Sequence, residues 1–491
     1  MDTRRLGRIR SHSPYTTRPM EPAGAAAPEA AREEGLRKSL SFRDVFLFLV
    51  TAGVNLQWVA TAAASGPSVM VVWFIGLAAM TVPLSWCTIR LAAHHPDEGG
   101  LYVWSRKAFG EAGGFLCGWI YWMTNLPYFP GVLYFAAGNG LFLAGANYRH
   151  LSSDRGYFLV FSLLALGLAT WMNLVGLSVA KRLNNLGAHA RWVGGLLLIG
   201  LGATAWWHFG SMTPFDRASL TPRLDLQGLV FWSTIAFALT GLESVSFMGG
   251  EIHDARKVVP RAIAAAVPLI FVIYYLGTAA VLVALPPGEV SGLQGVIEAV
   301  AAIESRLSLH GVTRVMAGIL LLHSLGSVGA WLGAVARIPY VAGIDRFLPQ
   351  GFARLHPRWG TPYVALLTQA VVTVVFIVIG QAGTSVAGAY EVLVGMMVVI
   401  YMLPFLFLYG AALRLPLDRT VAARIATRCL ALLGLFTVTA AIGLAMVPAA
   451  HEPNKPLAIL KIAGSTAAMV GSGVLVYLFR RPRLRSPGAA A

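Results

Sequence analysis

The stretch IAFALTGLESVSFMGGEIHDARKVVPRAI, residues 235–263, is the most informative part of this chain. It begins as an apolar run of membrane-spanning character, is interrupted by Thr240-Gly241 and carries a lone carboxylate at Glu243. A charged, proline-marked segment follows. A helix break and an acid inside a bilayer are costly because unpaired backbone groups and charges lose their hydration there. This stretch is therefore the first place to look for a functional site.

The composition of the whole chain is that of a membrane protein. Of its 491 residues 56% are hydrophobic and only 12% are charged, whereas a soluble domain carries about 25% charged residues. Apolar runs of about 20 residues recur twelve times, and each is long enough to cross a hydrocarbon core of roughly 30 Å. The runs lack the period-two alternation of a membrane β-barrel. We predict an all-α polytopic protein with twelve transmembrane helices and no separate soluble domain.

The net charge of +16 is distributed as a topology signal. With the N-terminus placed in the cytoplasm, roughly 29 of the 38 Lys and Arg residues fall on the cytoplasmic side and about 8 on the other. This bias predicts an integral protein of the cell membrane with both termini cytoplasmic, and no nucleic-acid partner. Residues 1–41 are predicted to be a disordered tail, residues 42–480 the transmembrane domain, and residues 481–491 a short cytoplasmic tail.

Four stretches resemble the amino acid–polyamine–organocation (APC) superfamily. PDEGGLYVWSRKAFG (96–110) is similar to the family's loop after the second span, and NLVGLSVAKRLNNLG (173–187) to the link after the fourth. FALTGLESVSFMGGEIHDARKVVPRAI (237–263) is similar to the family pattern F-x-x-x-G-x-E followed by E-x-x-x-P-x-x-x-x-P-x-A, although Ala255 stands where the first proline is usual. ARIPYVAGIDRFLPQGFARLHPRWGTP (336–362) resembles the link after the eighth span. The order and spacing of the four stretches match the family.

The resemblance implies a leucine-transporter-like fold. Its core, about residues 42–411, would hold ten helices in two inverted five-helix repeats, and residues 424–480 would form two peripheral helices. The family moves amino acids or related amines without ATP or a cofactor. We expect proton-coupled symport of a small molecule across the lipid bilayer, with amino acid exchange or polyamine transport as alternatives. A non-transporting membrane sensor is the alternative from another class.

No catalytic or metal constellation is visible in the sequence, so we do not expect an enzyme. In secondary transporters, two discontinuous helices at corresponding positions of the repeats form the substrate site. The first and sixth spans are five apart and are the candidates here. The resemblance places Phe237 at the aromatic gate, and Ala238, Thr240 and Gly241 at the unwound segment.

The first span departs from the family, which normally has a small-residue, glycine-rich segment there. The substrate contacts predicted in this span are Asn55, Leu56, Gln57 and Trp58. Asn and Gln side chains could replace backbone contacts, and Trp58 would reshape the pocket. The alternative for Asn55 and Gln57 is hydrogen bonding between helices.

Coupling and gating are assigned to Arg191, Glu243 and Phe237. The resemblance puts Arg191 at or near a fifth-span lysine that occupies the sodium position in proton-coupled members. Arginine does not readily release a proton, so the proton would travel elsewhere, on Glu243 or His189. The alternatives are that Arg191 snorkels to the cytoplasmic interface and that Glu243 is a structural acid bridging helices.

The third and eighth spans supply further candidates for the pocket lining. The third is dense in aromatic residues, and Tyr121, Trp122 and Asn125 are its candidate lining residues. In the eighth span the candidates are His323 and Ser324. Aromatic residues are also common in membrane cores and interfaces, so helix packing is the alternative for the third span.

Overall fold

The structure is a computed structural model that describes residues 40–95, 99–336, 347–448 and 452–484. The helices of these residues are α1 Phe42–Gly53, α2 Gln57–Ala63, α3 Val69–Gly76, α4 Val82–His94, α5 Gly100–Met123, α6 Asn125–Ala144, α7 Arg155–Val175, α8 Leu177–Phe209, α9 Arg217–Leu220, α10 Leu226–Ala238, α11 Ala255–Ala284, α12 Gly295–Arg306, α13 Val312–Val335, α14 Tyr363–Gln381, α15 Val386–Arg414, α16 Val421–Ala445 and α17 Lys455–Leu484. The predicted tail up to residue 39, motif residues 96–98 and 337–346, and residues 485–491 lie outside the described residues.

The described residues form an all-α membrane protein, as predicted. Ten helical segments are long and apolar enough to cross a membrane, and the bent pair α1–α2 would raise the number to eleven. The third predicted span is helical in α5 and α6 but lies outside this set. Its aromatic, proline and glycine residues lower its hydropathy. The number of twelve spans and the five-plus-five repeat stay predictions.

Both helices expected to be discontinuous are broken. In the first span, Val54 follows α1 with extended backbone, and the axes of α1 and α2 differ by 45°. In the sixth, α10 ends at Ala238, Gly241 adopts a left-handed φ of +100°, and a 3-10 helix runs over Leu242–Glu251. A left-handed φ is easy only for glycine. Gly241 therefore allows the chain to turn inside the membrane domain.

The two breaks lie against each other. A Cβ atom on Gly241 would be 3.4 Å from the backbone oxygen of Ala52 and 3.7 Å from the Cα of Gly53. The backbone of the sixth span thus contacts the end of α1 directly. This contact brings both interrupted helices to one place in the core.

Helices α8 and α13 approach each other through glycine. A Cβ on Gly187 would lie 2.7 Å from the Cα of Gly326, and the reverse distance is also 2.7 Å. Only two residues without side chains permit backbones to come this close. The crossing places Arg191, one turn beyond Gly187, beside the residues that flank Gly326.

Candidate functional site

A small buried cavity lies where the two breaks meet. It is lined by Ala52, Gly53, Asn55, Trp58, Thr124, Asn125, Tyr128, Phe237, Ala238, Thr240, Gly241, Tyr274, Trp331 and Tyr401. Its volume is about 60 Å³, which suffices for a few water molecules but is far below the roughly 300–1,000 Å³ of most ligand pockets. The site is therefore constricted in this conformation.

Tyr274 satisfies the backbone that the first break leaves unpaired. Its hydroxyl donates to the carbonyl oxygen of Gly53 at 2.8 Å and accepts from the amide of Asn55 at 2.9 Å. A broken helix in a membrane must pair its free groups with protein or water. The Tyr274 side chain of α11 thus pairs the free backbone groups on both sides of the break and holds Asn55 at the cavity wall.

Three aromatic side chains close one end of the cavity. The ring of Phe237 lies 5.0 Å from that of Trp58 and 5.2 Å from that of Tyr401, both edge to face. One turn earlier in α10, Ser233 and Thr234 line a second cavity of about 550 Å³. Phe237 lines the small cavity one helical turn from residues that line the large one.

Glu243 does not line the cavity and links three segments of the chain. Its Oε2 accepts from the amide of Gly241 at 2.9 Å, and its Oε1 accepts from the hydroxyls of Tyr401 at 2.9 Å and Tyr121 at 3.4 Å. The side chain is completely buried. These contacts link the break of the sixth span to α15 and α5, as the bridging interpretation of this acid requires.

Arg191 is buried and does not snorkel to an interface. Arg191 is only 6% exposed. Its Nε donates a hydrogen bond to His323 Nδ1 at 3.2 Å, and its Nη2 donates one to Ser327 Oγ at 2.6 Å. His323 Nε2 lies 3.2 Å from Asn55 Oδ1. Within the described parts of the chain no carboxylate forms an ion pair with Arg191.

The structure brings together many of the predicted site residues. The cavity lining includes Asn55, Trp58, Asn125, Phe237, Ala238, Thr240 and Gly241. Arg191 lies behind the cavity and reaches it through His323 and Asn55. The functional roles of all these residues stay predictions.

Two residues predicted in the first span do not line the cavity. Leu56 packs on α8, where a Cβ on Gly194 would be 3.1 Å from its Cδ1. The side-chain amide of Gln57 is buried and has no hydrogen-bond partner among the described residues. Asn55 and Leu56 lie in the break before α2, so the directions of the side chains here follow the local turn of the chain and not one continuous helix.

Four predicted lining residues in other spans also lie outside the cavity wall, and one of them, His323, contacts Asn55 from behind it. Tyr121 contacts Glu243, as described above. The ring of Trp122 packs edge to face on Trp119 at 5.3 Å. Ser324 donates to the carbonyl of Leu320 in its own helix at 2.8 Å, a common way for serine to satisfy its hydroxyl inside a helix.

Seven lining residues were not predicted from the sequence, and three of them are Ala52, Gly53 and Thr124. The other four are aromatic. They are Tyr128, Tyr274, Trp331 and Tyr401, contributed by α6, α11, α13 and α15. Each lies in an apolar run where an aromatic residue is unremarkable in sequence. A signal existed only for Tyr128, which lies in the aromatic third span that also supplied Asn125.

Two broken membrane helices that meet at a buried polar and aromatic cavity are typical of a secondary transporter. The chain belongs to the amino acid permease family of the APC superfamily, because the family's model, described as amino acid permease, matches residues 40–468. It is an integral membrane transporter and not an enzyme. The family resemblance found in the sequence is confirmed.

Three relatives illustrate the range of this family. The chain is 26% identical to an uncharacterised transporter of Legionella pneumophila, over 77% of this chain and 81% of that protein. It is 24% identical to a probable agmatine/putrescine antiporter of Lactococcus lactis, over 70% and 73% of the two chains. It is 26% identical to the human Asc-type amino acid transporter 1, over 64% and 60%. The similarity supports transport of amino acids or amines.

Proposed function

We propose that this permease binds a small amino acid or amine between the two helix breaks and moves it across the membrane by alternating access. The observation that carries the proposal is the contact of Gly241 with the end of α1 beside a common cavity. The C-terminal ends of α1 and α10 both reach that cavity. The negative end of a helix dipole favours a cationic amine.

The lining favours an amino acid or monoamine over a polyamine. No Asp or Glu is among the described residues that line the cavity. Glu243 accepts its hydrogen bonds from protein groups instead. A polycation in a membrane site would need carboxylates to offset the loss of hydration of each charge, whereas a zwitterion can use helix ends, Asn125 and tyrosine hydroxyls.

The constricted cavity supports an alternating mechanism. The cavity of about 60 Å³ is small beside the roughly 300 Å³ or more of typical ligand sites, which supports a site that enlarges to take up substrate. Binding therefore requires Phe237 and Trp58 to move apart, which would join the small cavity to the larger one beside Ser233. Re-closure on the loaded site would separate them again.

Uptake into proteoliposomes tests the proposal. The purified protein is reconstituted and offered radiolabelled L-serine, L-alanine, L-leucine, agmatine and putrescine, with and without an imposed pH gradient. We expect flux of at least one amino acid and its loss in the variant Gly241→Val, which cannot adopt the left-handed backbone without strain. Binding without flux under any gradient would contradict transport and favour the sensor alternative.

The same assay separates the two modes of coupling. We propose proton-coupled symport, for which an inward proton gradient drives accumulation of substrate. An exchanger would instead require substrate on both sides of the membrane. A pH gradient would then drive no accumulation of substrate in the proteoliposomes.

A further inference from the structure

His323 connects the buried arginine to the broken first helix. It is 1% exposed and lies between Arg191, whose Nε is 3.2 Å from its Nδ1, and Asn55, whose Oδ1 is 3.2 Å from its Nε2. Asn55 in turn donates from Nδ2 to the hydroxyl of Tyr128 at 3.1 Å. A single line of hydrogen bonds therefore runs from α8 through α13 to the cavity wall.

The donors and acceptors of this line fix the state of the histidine. Arginine can only donate, so Nδ1 of His323 must offer its lone pair to Arg191. The ring proton is then on Nε2, where it is donated to Asn55 Oδ1. His323 is a neutral Nε2–H imidazole in this conformation.

A proton on Nδ1 cannot coexist with this arrangement. It would occupy the lone pair that Arg191 uses and place two cations within about 3.2 Å of each other. The other titratable groups that face this cluster are Tyr128 from α6 and Tyr274 from α11. No carboxylate of the described residues is present to offset a second positive charge.

We propose that His323 is the proton acceptor that couples protons to transport, a proposal that rests on the proposed function. A proton from water binds Nδ1, the Arg191–His323 hydrogen bond breaks, and the two cations separate. Because Nε2 holds Asn55, this separation moves the break of the first span and alters the cavity. Protonation thus favours a second conformation of the transporter. Release of the proton restores neutral His323 and its hydrogen bonds to Arg191 and Asn55.

His323 contacts both Arg191 and the break of the first span, which the other candidates do not. Glu243 takes its hydrogen bonds from Gly241, Tyr401 and Tyr121 instead. His189 is exposed, and its ring contacts the carbonyl of Asn185 in the preceding turn of α8. Arg191 retains its proton. Histidine is the side chain whose charge changes most readily near neutral pH, and this one touches both Arg191 and the substrate segment.

The variant His323→Gln is the sharpest test. Glutamine can accept from Arg191 through its carbonyl oxygen and donate to Asn55 through its amide, but it does not titrate. In proteoliposomes we expect it to keep counterflow of the transported amino acid and to lose accumulation driven by a proton gradient. His189→Gln is the matched control and should behave as wild type. Gradient-driven accumulation by His323→Gln would overturn the proposal.

A second measurement needs no substrate and therefore separates this inference from the proposed function. Trp58 and Trp331 line the cavity, so we expect tryptophan fluorescence of the purified protein to change on acidification. The change should be absent in His323→Gln and present in His189→Gln. In Arg191→Gln it should move to higher pH, because the cation that opposes protonation of His323 is gone. A wild type without a transition, a transition that persists in His323→Gln, or no shift in Arg191→Gln would each overturn the proposal, whether or not flux is found.

Discussion

A single hydroxyl group holds the broken first helix in place. Tyr274 donates to the carbonyl of Gly53 and accepts from the amide of Asn55, and its ring stacks on Trp73 at 5.0 Å. Removing only the hydroxyl would leave two buried backbone groups without their partner. Each such group costs about 1–3 kcal/mol.

We therefore expect Tyr274→Phe to lower the thermal stability of the purified protein and to reduce flux. The control is Tyr275→Phe, the next residue of α11, whose hydroxyl makes no hydrogen bond with the described residues. The measurement is the melting temperature followed by intrinsic fluorescence. Equal melting temperatures for the two variants would show that the hydroxyl of Tyr274 does not hold the break.

Phe237 lines the small cavity next to the residues of α10 that line the large one, so we expect its ring to separate the two cavities. In a Cys429→Ser background, which removes the exposed cysteine, we expect Ala238→Cys to react slowly with a thiol reagent. Adding Phe237→Ala should make that reaction faster, since the ring no longer covers the site. Phe74→Ala, which removes an exposed ring, is the control and should leave the rate unchanged. An unchanged rate with Phe237→Ala would contradict the gate.

The sequence predicts where a helix breaks better than it predicts which side chains surround the break. Thr240-Gly241 is visible as a break because glycine interrupts an apolar run, and the break is found there. The partners of that break are not visible, because Tyr274 and Tyr401 come from helices far away in sequence. Leu56 and Gln57, predicted as substrate contacts, lie outside the lining of the cavity in this conformation, because the direction of each side chain depends on where α2 begins.

At the scale of helices, the crossing of α8 and α13 positions the proposed proton site. Gly187 and Gly326 meet with no room for a side chain, and Arg191 and His323 flank this contact. A methyl group at Gly326 would meet backbone atoms, which cannot rotate away. The two helices would have to move apart.

Gly326→Ala should therefore lower thermal stability and weaken gradient-driven accumulation more than counterflow, because it stretches the Arg191–His323 hydrogen bond. Gly318→Ala in the same helix is the matched control, since a Cβ there meets nothing within 4 Å. Alanine also favours a helix over glycine by about 1 kcal/mol, so the control should be neutral or slightly stabilising. A neutral Gly326→Ala would show that the close crossing is not needed.

Most membrane helices could be predicted from apolar length alone, and the third span shows the limit of that signal. Its helices α5 and α6 extend from Gly100 to Ala144 around Thr124, although their aromatic, proline and glycine residues reduce hydropathy. The contact between Gly187 and Gly326 could not be predicted, because the helices are separated by more than a hundred residues and glycine is frequent throughout the chain.

In the molecule as a whole, two loops lie on the same side of the membrane when an even number of spans separates them, and on opposite sides when the number is odd. Five segments of membrane-spanning length separate Ala218 from Arg419 within the described ranges: Leu226–Met248, Ala255–Ala284, Val312–Val335, Tyr363–Gln381 and Val386–Arg414. An odd number of crossings places the two residues on opposite sides. Arg414, Arg424 and Arg428 accompany Arg419, so the positive-inside rule assigns that side to the cytoplasm.

This assignment gives a topology prediction that does not depend on the total number of spans. Both Ala218 and Arg419 are exposed, so a cysteine at either is open to a reagent that reaches its side. In the Cys429→Ser background, a membrane-impermeant maleimide should label Ala218→Cys on intact cells and Arg419→Cys only after permeabilisation. Cys429→Ser alone is the control for the two buried native cysteines. Labelling of both on intact cells would show an even number of crossings between them, and the reverse pattern would invert the protein in the membrane.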